Sequence, residues 1–518
     1  MSFQDNDNDS NNNNKLIQSK IILQKIISLS IGSLDLESDF RLCVDDVCYQ
    51  TRIKKPIKLV LNYVLVCKEW FNIISKTIAT DYLFKDSRYN KQEQSQLLKK
   101  SIDYLSKSQS VFQLSTIKNL YLLDRVQIEI DKDSNICEYL LKFSNLERLS
   151  IFTNNMKLIK DIIRLKPSLR IHLYIDNFIF YVDYTEIESL DQDYSQLEQV
   201  IMTTSDLAAD GSYDRGYKFD FSPIKRWRVN TLYFEYDGGG HSSGALHIPY
   251  SKLFKIDSLI SITICDEDYV DIKELKLIVN DHIESFKASS ILSLFGKDEN
   301  DDIGYCSCTY GSEDDHTEMI ANNNQTGEWL EFCQRLSNNK SLKTLSLSNF
   351  CSNHKISDES TFKLVSQSFS QSLLVNTTLS NLEISCDILG ESFYSLLSHN
   401  NNTTINKLIL LNLNEQHLMW TLDMLKSNKH IRKLDIESYT DKIDWGYKEN
   451  EQMKELIKEF ITTFNSISSK CHKIIVHTSG QKITYDFFND LLNDKENLEL
   501  CQKHWNTEGY KLTIKRKI

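Results

Sequence analysis

Cys306 and Cys308, with His316 eight residues further on, are the group whose residue types come nearest to a metal site. A tetrahedral zinc site needs four ligands, usually a pair two residues apart answered by a second pair. Here the spacing is one residue and no second pair follows, so no metal is expected. The run GGGHSSG at 238–244 has glycines that would let backbone amides approach a phosphate, but it lacks the Gly-Lys-Ser/Thr ending of a phosphate loop. It reads as a surface loop. Asp298, Glu299, Asp301, Asp302, Glu313, Asp314, Asp315 and Glu318 crowd with one lysine into 296–327. Their spacing fails the pattern of a calcium-binding loop, so the stretch reads as a solvated acidic insert without fixed structure. No Gly-x-Ser-x-Gly, His-Glu-x-x-His or Walker-type loop occurs, and His399, His417 and His430 fall in expected turns and helices. No catalytic, cofactor-binding or metal residue is nominated, and no enzymatic activity is expected.

What the chain does repeat is a frame for building strands. Ile405-x-x-Leu408-x-Leu410 recurs as Leu379-x-x-Leu382-x-Ile384 before it and Ile431-x-x-Leu434-x-Ile436 after it, 26 residues apart in each direction. A fixed period of this size predicts stacked units, none of which can bury its apolar side alone. Leu342-x-x-Leu345-x-Leu347 is a further copy, and Cys471-x-x-Ile474-x-Val476 a last one. Between the strand frames lie helix faces: Trp329, Phe332 and Leu336; Phe362, Val365 and Phe369; Phe393, Leu396 and Leu397; Leu418, Leu422 and Leu425. The unit is therefore helix, asparagine-containing turn, strand. Earlier copies are less regular: Ile117, Leu146, Leu197, Val229, Leu259 and Ile272 each open one, and the copy at Leu146 continues into Asn154 and Met156.

Strand residues alternate between two faces. In the clear copies the positions opposite the core are Thr344, Ser346, Glu383, Lys407, Ile409, Lys433 and Asp435. Such a face suits protein recognition through many weak contacts around a few anchors. Ordinary solvated strand residues are the plainer reading of any single one.

At 518 residues, 41% hydrophobic, 25% charged and a net charge of −12, the chain has a globular composition whose sign disfavours general nucleic-acid binding. No apolar run reaches membrane-spanning length, and the polar start MSFQDNDNDSNNNN carries no apolar signal core, so a cytoplasmic or nuclear protein with reduced thiols is expected.

Ile22 and Ile26 sit at helical spacing in KLIQSKIILQKIISLSIG, and Ile57–Ile78 is apolar on more than one face. The run VLVCKEWFNIIS, Val64 to Ser75, resembles the second half of an F-box, following an opening helix of the kind at Ile21–Leu29. The usual Leu-Pro at the start of that helix is absent, and about 25 residues separate the halves. That resemblance implies docking onto the small adaptor of cullin-RING ubiquitin ligases, through Ile22, Ile26, Leu65, Val66 and Trp70. The later repeats resemble leucine-rich repeats of the ribonuclease-inhibitor type, which implies an α/β horseshoe solenoid whose concave face selects a target protein. The alternative is a free-standing repeat scaffold, with the N-terminal helices serving as a cap.

The expected organisation is an Asn/Asp-rich tail at 1–14, an F-box-like helical unit at 15–80, a helical linker at 81–115 and degenerate repeats at 116–295. The acidic insert at 296–327, regular repeats at 328–480 and a C-terminal cap at 481–518, with a terminal helix from Tyr485 to Leu492, complete it.

Overall fold

The computed structural model describes residues 81–84, 114–122, 136–153, 155–176, 196–205, 221–237, 250–266, 270–292, 326–350, 356, 359–399, 402–438, 451–465, 471, 473–479, 498–506 and 509–516. The fold is α/β, with a parallel sheet and helices alternating along the chain. The described residues divide into two compact units between Tyr174 and Ile175. The expected tail, the F-box-like unit, the acidic residues 298–318, Cys306, Cys308, His316, the 238–244 loop and the terminal helix at 485–492 lie outside the described residues.

In the first unit, β1 (Asp81–Phe84) pairs parallel with β2 (Asn119–Leu122), which pairs with β3 (Arg148–Phe152). Strand β4 (Arg170–Asp176) joins β3 in register through Tyr174. Helices α1 (Ile136–Leu141) and α2 (Met156–Leu165) lie between the strands in sequence. Leu120, Leu149, Ile151, Ile171 and Leu173 are buried in alternation along the strands, as the frame requires. Strand β1 lies at the start of the stretch read as a helical linker, 81–115, of which 85–113 lie outside the described residues. Asn155 starts α2, its Oδ1 accepting from Leu158 N at 3.1 Å, which satisfies one of the amides a helix start leaves open.

The second unit opens with β5 (Leu197–Ser205), α3 (Ser222–Arg226), β6 (Thr231–Asp237), α4 (Tyr250–Leu253) and β7 (Ser261–Asp266). The short β8 (Val270–Asp271) leads into α5 (Ile272–Leu275), and β9 (Ser285–Leu292) follows. Then come α6 (Thr326–Asn338), β10 (Thr344–Phe350), α7 (Glu359–Val375) and β11 (Asn381–Ser385). After them α8 (Glu391–Ser398), β12 (Lys407–Leu411), α9 (Glu415–Ser427), β13 (Lys433–Ser438), α10 (Glu451–Asn465) and β14 (Lys473–Ser479) complete the alternation. The parallel order is β5, β6, β7, β9, β10, β11, β12, β13, β14. It ends in two antiparallel strands, β16 (Gly509–Arg516) on β14 and β15 (Leu498–Asn506) on β16.

The frame at Ile272 is a correction. Those residues form α5, because the Asp271 carboxylate accepts from Lys273 N at 2.9 Å and starts a helical turn. The strand of that repeat is β9, on the frame Ile283-x-x-Phe286-x-Ala288, all three buried. The other sequence frames of this unit coincide with strands.

Successive helices α6 to α10 pack side by side. Trp329 of α6 donates from Nε1 to Val365 O at 3.0 Å and meets the Phe369 ring at 5.6 Å, and Phe369 stacks at 6.5 Å on Phe393. Gly390, at the start of α8, donates its amide to Ser366 Oγ at 2.6 Å. An added Cβ there would lie 2.8 Å from that oxygen, so the close approach needs glycine.

One device ties each turn to the one before it. Asn339, Asn376, Asn402 and Asn428 stand three residues ahead of Leu342, Leu379, Ile405 and Ile431, and all four are buried. Asn402 Oδ1 accepts from Thr404 N and Ile405 N, both at 3.0 Å, while its Nδ2 donates to Leu373 O at 2.6 Å. Asn376 does the same with Thr378 N, Leu379 N and Leu336 O, and Asn428 with His430 N, Ile431 N and Leu397 O. Asn339 reaches back to Asn280 O at 2.8 Å, and Asn280 caps its own turn through His282 N and Ile283 N. Every asparagine thus satisfies two turn amides and a carbonyl of the preceding unit, which stacking would otherwise bury unpaired. In the first unit Lys166 holds the equivalent place ahead of Leu169, and its Nζ donates to Phe143 O at 2.5 Å.

Candidate functional site

Leu345, Leu347, Leu382, Ile384, Leu408, Leu410, Leu434 and Ile436 are buried against the helix layer, so the intervening residues face the opposite side of the sheet. Parallel register sets these outward positions in rows about 4.8 Å apart between strands. The first row runs Ser285, Thr344, Asn381, Lys407, Lys433, Lys473. The second runs Lys287, Ser346, Glu383, Ile409, Asp435, Ile475. All seven outward positions read from the sequence, Thr344, Ser346, Glu383, Lys407, Ile409, Lys433 and Asp435, are therefore brought onto one face in two adjacent rows.

Their surroundings differ from one end to the other. Around β10 and β11 the face is a neutral hydrogen-bonded patch with one carboxylate. Asn381 Nδ2 donates to Thr344 Oγ1 at 3.1 Å, Ser348 Oγ donates to Glu383 Oε1 at 3.1 Å, and the Ser346 and Ser348 hydroxyls lie 3.1 Å apart. Around β12 to β14 the first row is cationic and the second apolar except for Asp435, whose Oδ2 is 3.8 Å from Lys433 Nζ. Thr344, Glu383, Lys407 and Lys433 keep part of their surface open, as does Lys473. Ser346 and Asp435 are buried, as are Ile409 and Ile475 beside them. The first row is thus open throughout, and the second only at Lys287 and Glu383.

Lys473, Asn381 and Ser348 belong to this face and are not among the nominated residues. The signal was present, since each occupies an alternating position of a strand frame. Ile22, Ile26, Leu65, Val66 and Trp70 lie outside the described residues.

A buried set of titratable side chains lies elsewhere, between β11, α8 and α9. Tyr394 Oη is 3.0 Å from His417 Nδ1 and 3.6 Å from Cys386 Sγ, and the His417 ring packs on Trp420 at 5.1 Å. Burial holds the imidazole down at about 4, against a weak opposing pull from Asp387, so His417 is neutral in ordinary buffers. Burial also raises the Cys386 and Tyr394 groups well above their usual ranges. A thiol kept protonated and enclosed is no nucleophile. The cluster fills space, and His399 is by contrast exposed. The Cys333 thiol on α6 is likewise pushed up by burial, to about 12. Among the described residues no group of three or more His, Cys, Asp or Glu is placed to hold a metal ion, and no helix is long and apolar enough to cross a membrane.

No protein-family model matches the chain, and no curated protein matches its sequence.

Proposed function

We propose that this chain is a non-catalytic recognition protein of the leucine-rich-repeat type, in which the outward sheet face holds a target protein and the N-terminal segment docks a ubiquitin-ligase adaptor. The observation that carries the repeat half is the recurrence of Asn-x-x-Leu/Ile-x-x-Leu-x-Leu/Ile on strands that pair in register, each asparagine bonded to the unit before it. Repeats of this kind display an uninterrupted row of variable side chains, which is a binding surface by construction. A horseshoe solenoid is the form such stacking takes in the family it resembles. The adaptor half rests on VLVCKEWFNIIS, Val64 to Ser75, and its resemblance to an F-box.

The test is recovery of adaptor and cullin with the full chain from lysate of its own cell type, wild type against Trp70→Ala. Recovery by the wild type and loss in the variant is the expected result, because buried aromatic anchors dominate interfaces of this kind. If neither form recovers the adaptor while both remain folded, the ligase reading fails. The alternative, a scaffold capped by its N-terminal helices, is separated by deleting residues 15–80. Loss of cooperative unfolding in the remainder indicates a cap, whereas an F-box comes off leaving the repeats folded.

A further inference from the structure

Three of the turns ahead of the regular strands carry a hydroxyl two residues after the buried asparagine: Asn339-Lys340-Ser341, Asn376-Thr377-Thr378 and Asn402-Thr403-Thr404. The turn itself recruits it. Ser341 Oγ donates to Asn280 O, and Thr378 Oγ1 to Asn339 O at 3.1 Å, each the carbonyl of the asparagine one unit earlier. Thr404 Oγ1 donates to Asn402 Oδ1 at 3.2 Å. The asparagine ladder does not demand a hydroxyl, since Asn280 and Asn428 have His282 and His430 in that place. With it, however, each turn spells Asn-x-Ser/Thr, the acceptor triplet for transfer of an oligosaccharide to asparagine.

In that transfer Nδ2 bonds to the anomeric carbon of the sugar, the bond from that carbon to a lipid pyrophosphate breaks, and the amide gives up one proton. An accepting asparagine in a secreted protein lies on a surface loop. These three do not. Asn339, Asn376 and Asn402 are 5%, 2% and 3% exposed, and their Nδ2 atoms donate to Asn280 O at 2.8 Å, Leu336 O at 2.7 Å and Leu373 O at 2.6 Å. A sugar ring on any of these nitrogens needs the backbone of the preceding unit to withdraw, which parts two units that bury their apolar sides only against each other. In the unfolded chain nothing shields them. We infer that Asn339, Asn376 and Asn402 are glycan acceptor sites of the unfolded chain, and that N-glycosylation there and stacking of the repeats are mutually exclusive. The regular repeats then assemble only out of reach of the transferase, so a target of the sheet face is met outside the secretory lumen. The inference goes beyond the recognition reading and does not rest on it.

The test is expression of the full chain in eukaryotic cells with and without a cleavable secretion signal. A third form carries the signal and Lys340→Pro, Thr377→Pro and Thr403→Pro, because proline in the middle place abolishes acceptance. The turn admits proline. Those residues are exposed, their amides make no hydrogen bond among the described residues, and Asn428, in the matching place, has φ −68° and ψ 131°, as a residue before proline requires. Thr403→Pro also removes the overlapping triplet at Asn401, while the triplets at Asn8 and Asn324 remain, so this form isolates the turns. Peptide mapping after glycosidase treatment reads occupancy at each asparagine, and limited proteolysis reads the fold. The exported natural chain is expected to carry glycans on at least one of the three and to be cleaved at roughly tenfold lower protease than the signal-free chain, since cleavage follows the open population. The exported proline form should resist as the signal-free chain does. Blocking synthesis of the lipid-linked oligosaccharide should restore resistance to the exported natural chain, and this arm decides if the prolines alone disturb the signal-free fold. A glycan on any of the three in a protease-resistant chain overturns the inference, as does an exported chain unmodified at all three. Sensitivity that persists without glycans overturns it as well, because the lumen rather than the sugar would then prevent folding.

Discussion

Two stretches of the second unit solve the same hydrogen-bonding problem with different chemistry. From β10 to β13 every turn ahead of a strand is closed by a buried asparagine, whose amide offers donors and acceptors together. Before β7 the pattern lapses, to return with Asn280 ahead of β9. Ile256 holds the asparagine's place ahead of Leu259, and the start of α4 is held by Glu274 from the next unit, whose Oε1 accepts from Ser251 N at 2.9 Å. Its other oxygen, Oε2, is buried with no hydrogen-bond partner among the described residues. A carboxylate can only accept, so it cannot also answer a carbonyl, and burial pushes the Glu274 carboxyl up to about 7. The neutral device makes turns indifferent to pH. The acidic one couples its region to protons.

The largest break in this comparison comes from the asparagines. Asn402→Ala strips Thr404 N, Ile405 N and Leu373 O of their partner in one step. At roughly 1–3 kcal/mol for each buried group left unsatisfied, reduced by whatever water enters, the expected loss is about 3–5 kcal/mol. Urea unfolding followed by circular dichroism reads it, and a loss under about 1 kcal/mol would mean that the ladder is incidental to stacking.

Glu274→Gln should act in the other direction. A carboxyl raised in the folded state contributes stability that is fully present below its ordinary value of 4.5 and is lost as pH rises through about 7. The glutamine keeps an acceptor for Ser251 N and cannot ionise, so the variant should exceed the wild type by roughly 1–3 kcal/mol at pH 8 and match it near pH 5. Equal stability at pH 8 would show that water reaches the wild-type carboxylate.

His417 sharpens the contrast from inside the regular stretch, as a buried titratable group among neutral turns. Its folded value is depressed from 6.5 to about 4, so the stability it contributes is present above 6.5 and lost as pH falls toward 4. Replacing it by Gln should flatten that acid limb by about 1–2 kcal/mol in thermal melts taken across this range. An unchanged limb would place acid sensitivity in other groups.

The same contrast governs what the sequence alone disclosed. Strand frames at Leu342, Leu379, Ile405, Ile431 and Cys471, and the helix faces between them, are legible because each apolar position must be buried once per unit. The outward rows follow from alternation. At Ile272 the spacing of apolar residues was satisfied by a helical turn, and the deciding feature was Asp271 capping it. The true frame at Ile283 is faint because β9 carries Ser285, Lys287, Ser289 and Ser290 between its apolar residues. Asn280, three residues ahead of Ile283, would have identified it, since the asparagine is the more constant part of the repeat. Burial of Ser346 and Asp435 depends on packing outside their own strands, which no local pattern encodes.

The smallest expected effect lies between β9, the last strand of the less regular repeats, and β10. Lys343 Nζ is 2.8 Å from Glu284 Oε2, and both side chains are about half exposed. The backbones beneath them are already joined, with Lys343 N donating to Glu284 O at 2.7 Å and Thr344 N to the same oxygen at 3.0 Å. If the junction is held by the ladder and the apolar core, the ion pair adds little, because an exposed pair is well solvated and loses side-chain entropy in forming. A double-mutant cycle through Lys343→Ala and Glu284→Ala should therefore return a coupling of roughly 0.2–1 kcal/mol, shrinking as salt is raised. A coupling above about 2 kcal/mol that persists in high salt would mean that charge joins the irregular repeats to the regular ones. The asparagine turns would then be stabilising one stretch rather than carrying the array across the boundary.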